Sequence, residues 1–238
     1  ESTITQTVIM RPNGLDTPFR MEVVQLNSVR IMQKIYPAMS NKTLQPLYGK
    51  TLKELQELCT LLDMPRFAAK QIAGWLYRRG ATDIEQMSDL SKANRAKLSQ
   101  SYCVGLSVPV KVSCSEDGTK KYLYRTTEGA AIESAYIPDG ERATLCVSSQ
   151  AGCRMGCRFC ATARMGLQHS LSVCDILNQI ASLPERESLT NVVYMGMGEP
   201  FDNMDNLLKA LEINNILQTM QRILLCVLRN TPTRTSRC

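Results

Sequence analysis

CRMGCRFC, residues 153–160, places Cys153, Cys157 and Cys160 on one short stretch, with gaps of three and two residues. Working outward, RATLCVSS before it has the β-branched, alternating character of a strand, and LSVCDILNQIASL after it reads as a helix. TNVVYMGM is a second strand and NMDNLLKALEI a second helix. Strand–loop–helix repeated twice is the opening of a parallel α/β array, in which functional groups sit on the loops that follow the strands. The loops 150–161 and 197–202 occupy those positions.

Upstream the pattern changes. TLKELQELCTLLD spaces Leu52, Leu55, Leu58, Cys59 and Leu62 by three and four, and Thr51 with Glu54 forms a capping-box signature, which together predict a helix. RFAAKQIAGWLYRRG predicts a second helix from about Arg66, ending at Gly80, with Trp75 and Tyr77 as core aromatics. SDLSKANRAKLSQSY predicts a third. VPVKVSCS, KKYLYRTTE and AAIESAYIP, separated by Glu116-Asp117-Gly118 and Glu128-Gly129, predict an antiparallel meander. Residues 61–100 carry Arg66, Lys70, Arg78, Arg79, Lys92, Arg95 and Lys97; each reads first as a solvated surface charge, and as a set they suit phosphate contacts.

The chain has 238 residues, 44 % hydrophobic and 21 % charged, the composition of a globular protein. It shows no apolar run of membrane length and no signal peptide at its start, so a cytoplasmic protein without membrane contact is expected. Ten cysteines in such a protein read as reduced thiols, and clustered ones as metal ligands or catalysts. The net charge of +6 suits an anionic partner such as RNA.

Several readings of the three cysteines stand side by side. Zinc takes four N or S ligands, and Cys146, His169 or Cys174 could complete Cys153, Cys157 and Cys160. A ferredoxin-type cluster takes a fourth cysteine from a Cys-Pro continuation, which is absent. Three buried core thiols are the plainest reading, but burial gives no reason for this spacing with Arg154 and Arg158 inside it.

Cys-x3-Cys-x2-Cys, with Phe159 before the last cysteine, resembles the radical S-adenosylmethionine (SAM) superfamily. MGMGEP, with Gly196, Gly198, Glu199 and Pro200, resembles that superfamily's GGE-type motif. RATLCVSSQAGCRMGCRFCATARMG, NVVYMGMGEPFDN and MPRFAAKQIAGWLYRRG resemble more narrowly the RlmN family, over roughly Lys42 to Ile213. The resemblance implies an α/β protein: an N-terminal helical accessory domain, a short antiparallel β meander, then the first βα units of a partial, incomplete (β/α) barrel. It implies a radical SAM methyltransferase acting at C2 of adenine in 23S ribosomal RNA and tRNA through a methyl-cysteine. A [4Fe–4S] cluster would be held by Cys153, Cys157 and Cys160, its open iron would chelate SAM, and the reduced cluster would cleave SAM to a 5′-deoxyadenosyl radical. Gly198 and Glu199 would contact SAM. Cys146 would be the second catalytic thiol, which resolves the RNA adduct, and Glu133 the proton acceptor. An electron donor such as flavodoxin and a monomeric state are implied with these.

The same reading divides the chain into a non-family leader at 1–41, a helical RNA-binding domain at 42–104, the meander and barrel start at 105–213, and a divergent tail at 214–238. Neither Cys226 nor Cys238 has the setting of the family's methyl-carrying cysteine, so a truncated chain, inactive alone, is expected. The alternatives are a non-catalytic metal-binding, RNA-binding fragment and a relative methylating adenine C8.

Overall fold

The computed structural model describes residues 44–216. The leader assigned to 1–41, Cys226, Cys238 and the tail beyond Ile216 lie outside the described residues. In chain order the elements are β1 (Gln45–Pro46), α1 (Leu52–Leu61), α2 (Ala68–Tyr77), α3 (Lys92–Ser99), β2 (Tyr102–Cys103), β3 (Lys111–Cys114), β4 (Lys120–Arg125) and β5 (Ala131–Asp139). They continue with β6 (Arg142–Cys146), β7 (Gln150–Gly152), α4 (Ala161–Arg164), β8 (Leu167–Ser170), α5 (Val173–Ala181), β9 (Asn191–Val193) and α6 (Met204–Ile216).

The helical module begins where the capping box predicts. Thr51 Oγ1 accepts from the Glu54 amide and Glu54 Oε2 from the Thr51 amide at 2.7 Å, which satisfies two amides the first turn leaves open. Leu55, Leu58 and Cys59 are buried, whereas Leu52 stays exposed. The second helix is shorter than its sequence pattern: it starts at Ala68, after a turn in which the Ala68 amide donates to Pro65 O, and Gly80 turns the chain beyond it at φ +64°. Parallel pairing of β1 with β2 ties the two ends of the module together.

Two of the basic residues are consumed inside this module. Lys97 Nζ donates to Leu62 O and Asp63 O at 3.1 and 2.9 Å, capping the carbonyl end of α1. Arg95 donates to Leu90 O at 2.8 Å and pairs with Glu85. Arg79 lies over the half-buried Trp75 ring, 4.3 Å from its centroid, and pairs with Asp89, which also accepts from the Trp75 indole. Tyr77 is buried. Arg66, Lys70, Arg78 and Lys92 are exposed.

The meander and the βα units form one sheet, in the order β3-β4-β5-β6-β9. The pairings are antiparallel up to β6, and β6 with β9 is parallel, as a helical crossover through α5 requires. The pleat sends Tyr122, Tyr124, Ile132, Leu145 and Val192 into a core shared with Ile176, Leu177 and Ile180 of α5. The opposite face carries Glu133, Ala135, Thr144, Cys146 and Val193, all half-exposed. No helix among the described residues is long and apolar enough to cross a membrane.

The module docks onto the βα portion closely enough to exclude side chains. A Cβ at Gly49 would stand 2.9 Å from the Cys174 amide nitrogen, and Lys209 of α6 reaches Glu54 at 2.6 Å. On the sheet side, Glu185 accepts from Lys120 Nζ and the Tyr122 hydroxyl, each at 2.5 Å. Burial alone would raise the Glu185 carboxyl, but these two donors outweigh it and hold the pKa below its ordinary value of 4.5. A lowered folded pKa contributes stability that is present above the unfolded value and lost as pH falls through the folded one. Urea unfolding should therefore find Glu185→Gln less stable at pH 7, with the gap to the unmutated protein closing as pH drops below about 4. A gap that does not change with pH would contradict this account of the pair.

Candidate active site

The strand β6 ends in a segment held from three sides. The Ser148 amide donates to Gln179 Oε1 at 2.9 Å, and Gln179 Nε2 returns to Ser148 O at 3.0 Å, so one side chain of α5 fixes both faces of that residue. Ser148 Oγ donates to Glu133 O on β5 and accepts from the Met197 amide. The amides of Ser149 and Gln150 both donate to Met197 O. The loop after β9 is thus bonded to the loop after β6.

Glycine makes this contact possible. A Cβ at Gly196 would stand 2.7 Å from Ser148 Oγ; one at Gly198, where φ is +97°, would stand 2.5 Å from Gln150 Cβ. Glu199 follows and caps the short 3₁₀ turn Pro200–Asn203, its Oε1 accepting from the Phe201 amide at 3.2 Å.

The cysteine loop hangs from a hairpin that the sequence pattern does not announce, β7 paired antiparallel with β8. Gly152 sits at its bulge, where a Cβ would collide with Gly166 O, and the Cys153 amide donates to that same oxygen. Cys153 is buried, Cys157 and Cys160 are half-exposed, and Phe159 stands 74 % exposed beside them. Burial pushes the Cys153 thiol up, the Met155 amide opposes it, and the nearness of Cys160, Cys157 and Glu199 raises it further. These four groups therefore share one electrostatic neighbourhood, which a positively charged group would relieve.

Among the described residues, no three Cys, His, Asp or Glu side chains converge on one point as ligands of a single ion would. A cubane differs, because each thiolate takes a separate iron and the sulfurs stand apart. The donor set fits such a cluster: three thiols on one loop, one rooted in the core and two facing outward, with Gly156 at φ +69° letting the chain bend between them. The additional zinc ligands are differently placed. Cys174 donates to Gly105 O at the module junction, and His169 Nδ1 lies 3.5 Å from Glu128.

Cys146 and Glu133 share the open face of the sheet. The register sets Cys146 opposite Ala135, with Glu133 the next residue of that face along β5, at a diagonal position. Burial raises the Cys146 thiol, against a backbone hydrogen bond from Met195, and Glu133 pairs with Lys121 at 3.0 Å. Sequence reasoning missed Gln150, Asp202 and Arg154, which join the two loops. A fully buried glutamine at a strand exit leaves no periodic signal; the polar run SSQ was the available hint.

Residues 45–104 match the Ribosomal RNA large subunit methyltransferase N-terminal domain, and residues 147–235 match the Radical SAM superfamily. A protein of Phocaeicola vulgatus named as a probable dual-specificity RNA methyltransferase RlmN is 56 % identical over 167 residues, 70 % of this chain and 48 % of that one. Over these residues the chain belongs to the RlmN family. A dual-specificity RNA methyltransferase RlmN of Geobacter sulfurreducens is 40 % identical over 171 residues, 72 % of this chain and 48 % of that one. The crystal structure of a radical SAM methyltransferase from Sphaerobacter thermophilus superposes with a TM-score of 0.65 at 39 % identity, covering 71 % of this chain and 51 % of that one. The chain spans about half the length of the RlmN relatives it matches.

The close packing at the glycines can be checked directly. Gly198→Ala adds a Cβ against Gln150 in a left-handed backbone, so it should cost about 1–3 kcal/mol in chemical denaturation. Gly129→Ala, equally left-handed but with nothing within 4 Å, carries the strain without the clash and should cost less. Equal costs would contradict the close approach.

Proposed function

We propose that this chain provides the cluster-binding and SAM-binding portion of a radical SAM methyltransferase acting on C2 of adenine in ribosomal RNA and tRNA. The observation that carries this reading is the joining of two loops at one end of the parallel pair β6–β9: the three-cysteine loop and the Gly198-Glu199 loop. The names of the RlmN relatives support RNA as the substrate, and the exposed Arg66, Lys70, Arg78 and Lys92 offer cations for its phosphates.

In this reading Cys153, Cys157 and Cys160 hold a [4Fe–4S] cluster, and Gly198 with Glu199 receive the amino end of SAM. When bound and reduced by a donor such as flavodoxin, the cluster supplies the electron that opens SAM's sulfonium. The chain's own work is positional. The glycine-packed loop holds Glu199 within electrostatic reach of Cys153, and Phe159 and Met155 of the cysteine loop stand exposed. Cys146, held as a thiol by burial, and Glu133, oriented by Lys121, face the same open side of the sheet. In this reading Cys146 would resolve an RNA adduct there and Glu133 would accept a proton.

Anaerobic reconstitution with iron and sulfide should give close to one four-iron cluster per chain, and Cys153→Ala should abolish it. SAM should then change the EPR signal of the reduced cluster, and Glu199→Ala should weaken that response. Stoichiometric zinc without iron in anaerobically isolated protein would overturn the reading.

RNA binding should depend steeply on salt. Replacing Lys70 or Arg78 by Ala should weaken binding of an adenine-containing ribosomal RNA fragment. Each replacement should also reduce the slope of log K against log salt by about one for every phosphate it ceases to neutralise. Unchanged slopes in both variants would remove this face from the RNA interface.

A further inference from the structure

Between the two loops lies a chain of polar side chains that the proposed chemistry leaves unexplained. Gln150 is fully buried, and its amide is used at both ends. Its Oε1 accepts from the Glu199 amide at 3.0 Å, and its Nε2 donates to Asp202 Oδ2 at 2.9 Å and to Ser170 Oγ at 3.2 Å. One side chain thus touches the SAM-contact loop, the turn after it and the strand that closes the cysteine hairpin. Asp202 carries the connection on: its Oδ1 pairs with Arg154, the residue next to Cys153.

A buried glutamine satisfied by three different segments is costly to misplace, because any shift strands a polar atom away from water. Such an arrangement therefore fixes relative position more sharply than apolar packing could. The Arg154 end is different. That side chain is 64 % exposed whereas the Asp202 side chain is 11 % exposed, so solvent screens the pair and its effect is orientation rather than stability. Asn203 strengthens the same joint from beneath, donating to Ser149 O and Leu171 O, both at 2.8 Å.

We propose that Gln150 and Asp202 are positioning residues that set Glu199 against the cysteine loop, with Asp202 steering Arg154 and through it the start of the ligand run, so that a SAM molecule meets both loops at once. This inference rests on the proposed function for its ligand, but the tie between the loops exists without it. Groups that orient primary ligands commonly change affinity by about 10–100-fold when removed.

The test uses the full chain and the variants Asp202→Ala and Asp202→Glu, which spare the buried glutamine. In reconstituted protein, Asp202→Ala should retain its iron while the SAM concentration giving half of the EPR change rises about tenfold or more, and Asp202→Glu should recover most of that affinity. A half-maximal concentration within about twofold of the unmutated protein would overturn the proposal. Hydrogen exchange of the chain without a cluster is the second arm. Asp202→Ala should accelerate exchange in both 150–157 and 196–203 and leave 52–61 unchanged. If the unmutated protein shows no response to SAM, the functional reading fails, and exchange still decides the tie: unchanged exchange in 150–157 would reject it.

Discussion

Three backbone pairings, Thr144 with Asn191, Leu145 with Val192 and Cys146 with Val193, set β9 parallel to β6. Parallel strands end on the same side, so whatever follows them must meet there. One follower is the hairpin that carries Cys153, Cys157 and Cys160; the other is the loop with Gly196, Gly198 and Glu199. Antiparallel pairing would send those loops to opposite ends of the sheet, and the same residues could not form one site. The helix α5 makes the pairing possible as the crossover, and its Gln179 then grips Ser148 at the root of the first loop.

The site is assembled by close approach more than by salt bridges. Missing side chains at Gly196 and Gly198 let two backbones bond directly, and Ser148, Gln150 and Asn203 satisfy the polar groups that this approach buries. Against that frame, burial and the nearness of Cys160, Cys157 and Glu199 all push the Cys153 thiol up. One buried thiol beside two half-exposed ones on the same loop differs from three thiols packed into a core.

Much of this was legible in the residues. The Thr51–Glu54 capping box and the leucine spacing located α1, the turn dipeptides located the meander, and the repeated strand–loop–helix pattern located both loops. What the residues did not reveal depends on tertiary packing. The β7–β8 pairing closes across the whole cysteine loop, so no short turn announces it, and its bulge needs a glycine at 152 because a Cβ there would collide with Gly166 O. The two-residue strands β1 and β2 are too short to show a period. The basic cluster looked uniform in sequence, yet Arg95 and Lys97 serve internal carbonyls while Lys70 and Arg78 stay on the surface. The same limit hid Gln150, whose importance comes from being reached by three distant segments.

The two loops bind one guest jointly in this account, with a cluster on one side and the amino end of SAM on the other. Electron–nuclear double resonance on the reduced, reconstituted chain with SAM labelled with ¹⁵N at its amino group measures that meeting directly. The account predicts a nitrogen coupling to the cluster spin that Glu199→Ala diminishes. A cluster that forms fully and shows no ¹⁵N coupling at saturating SAM would contradict it.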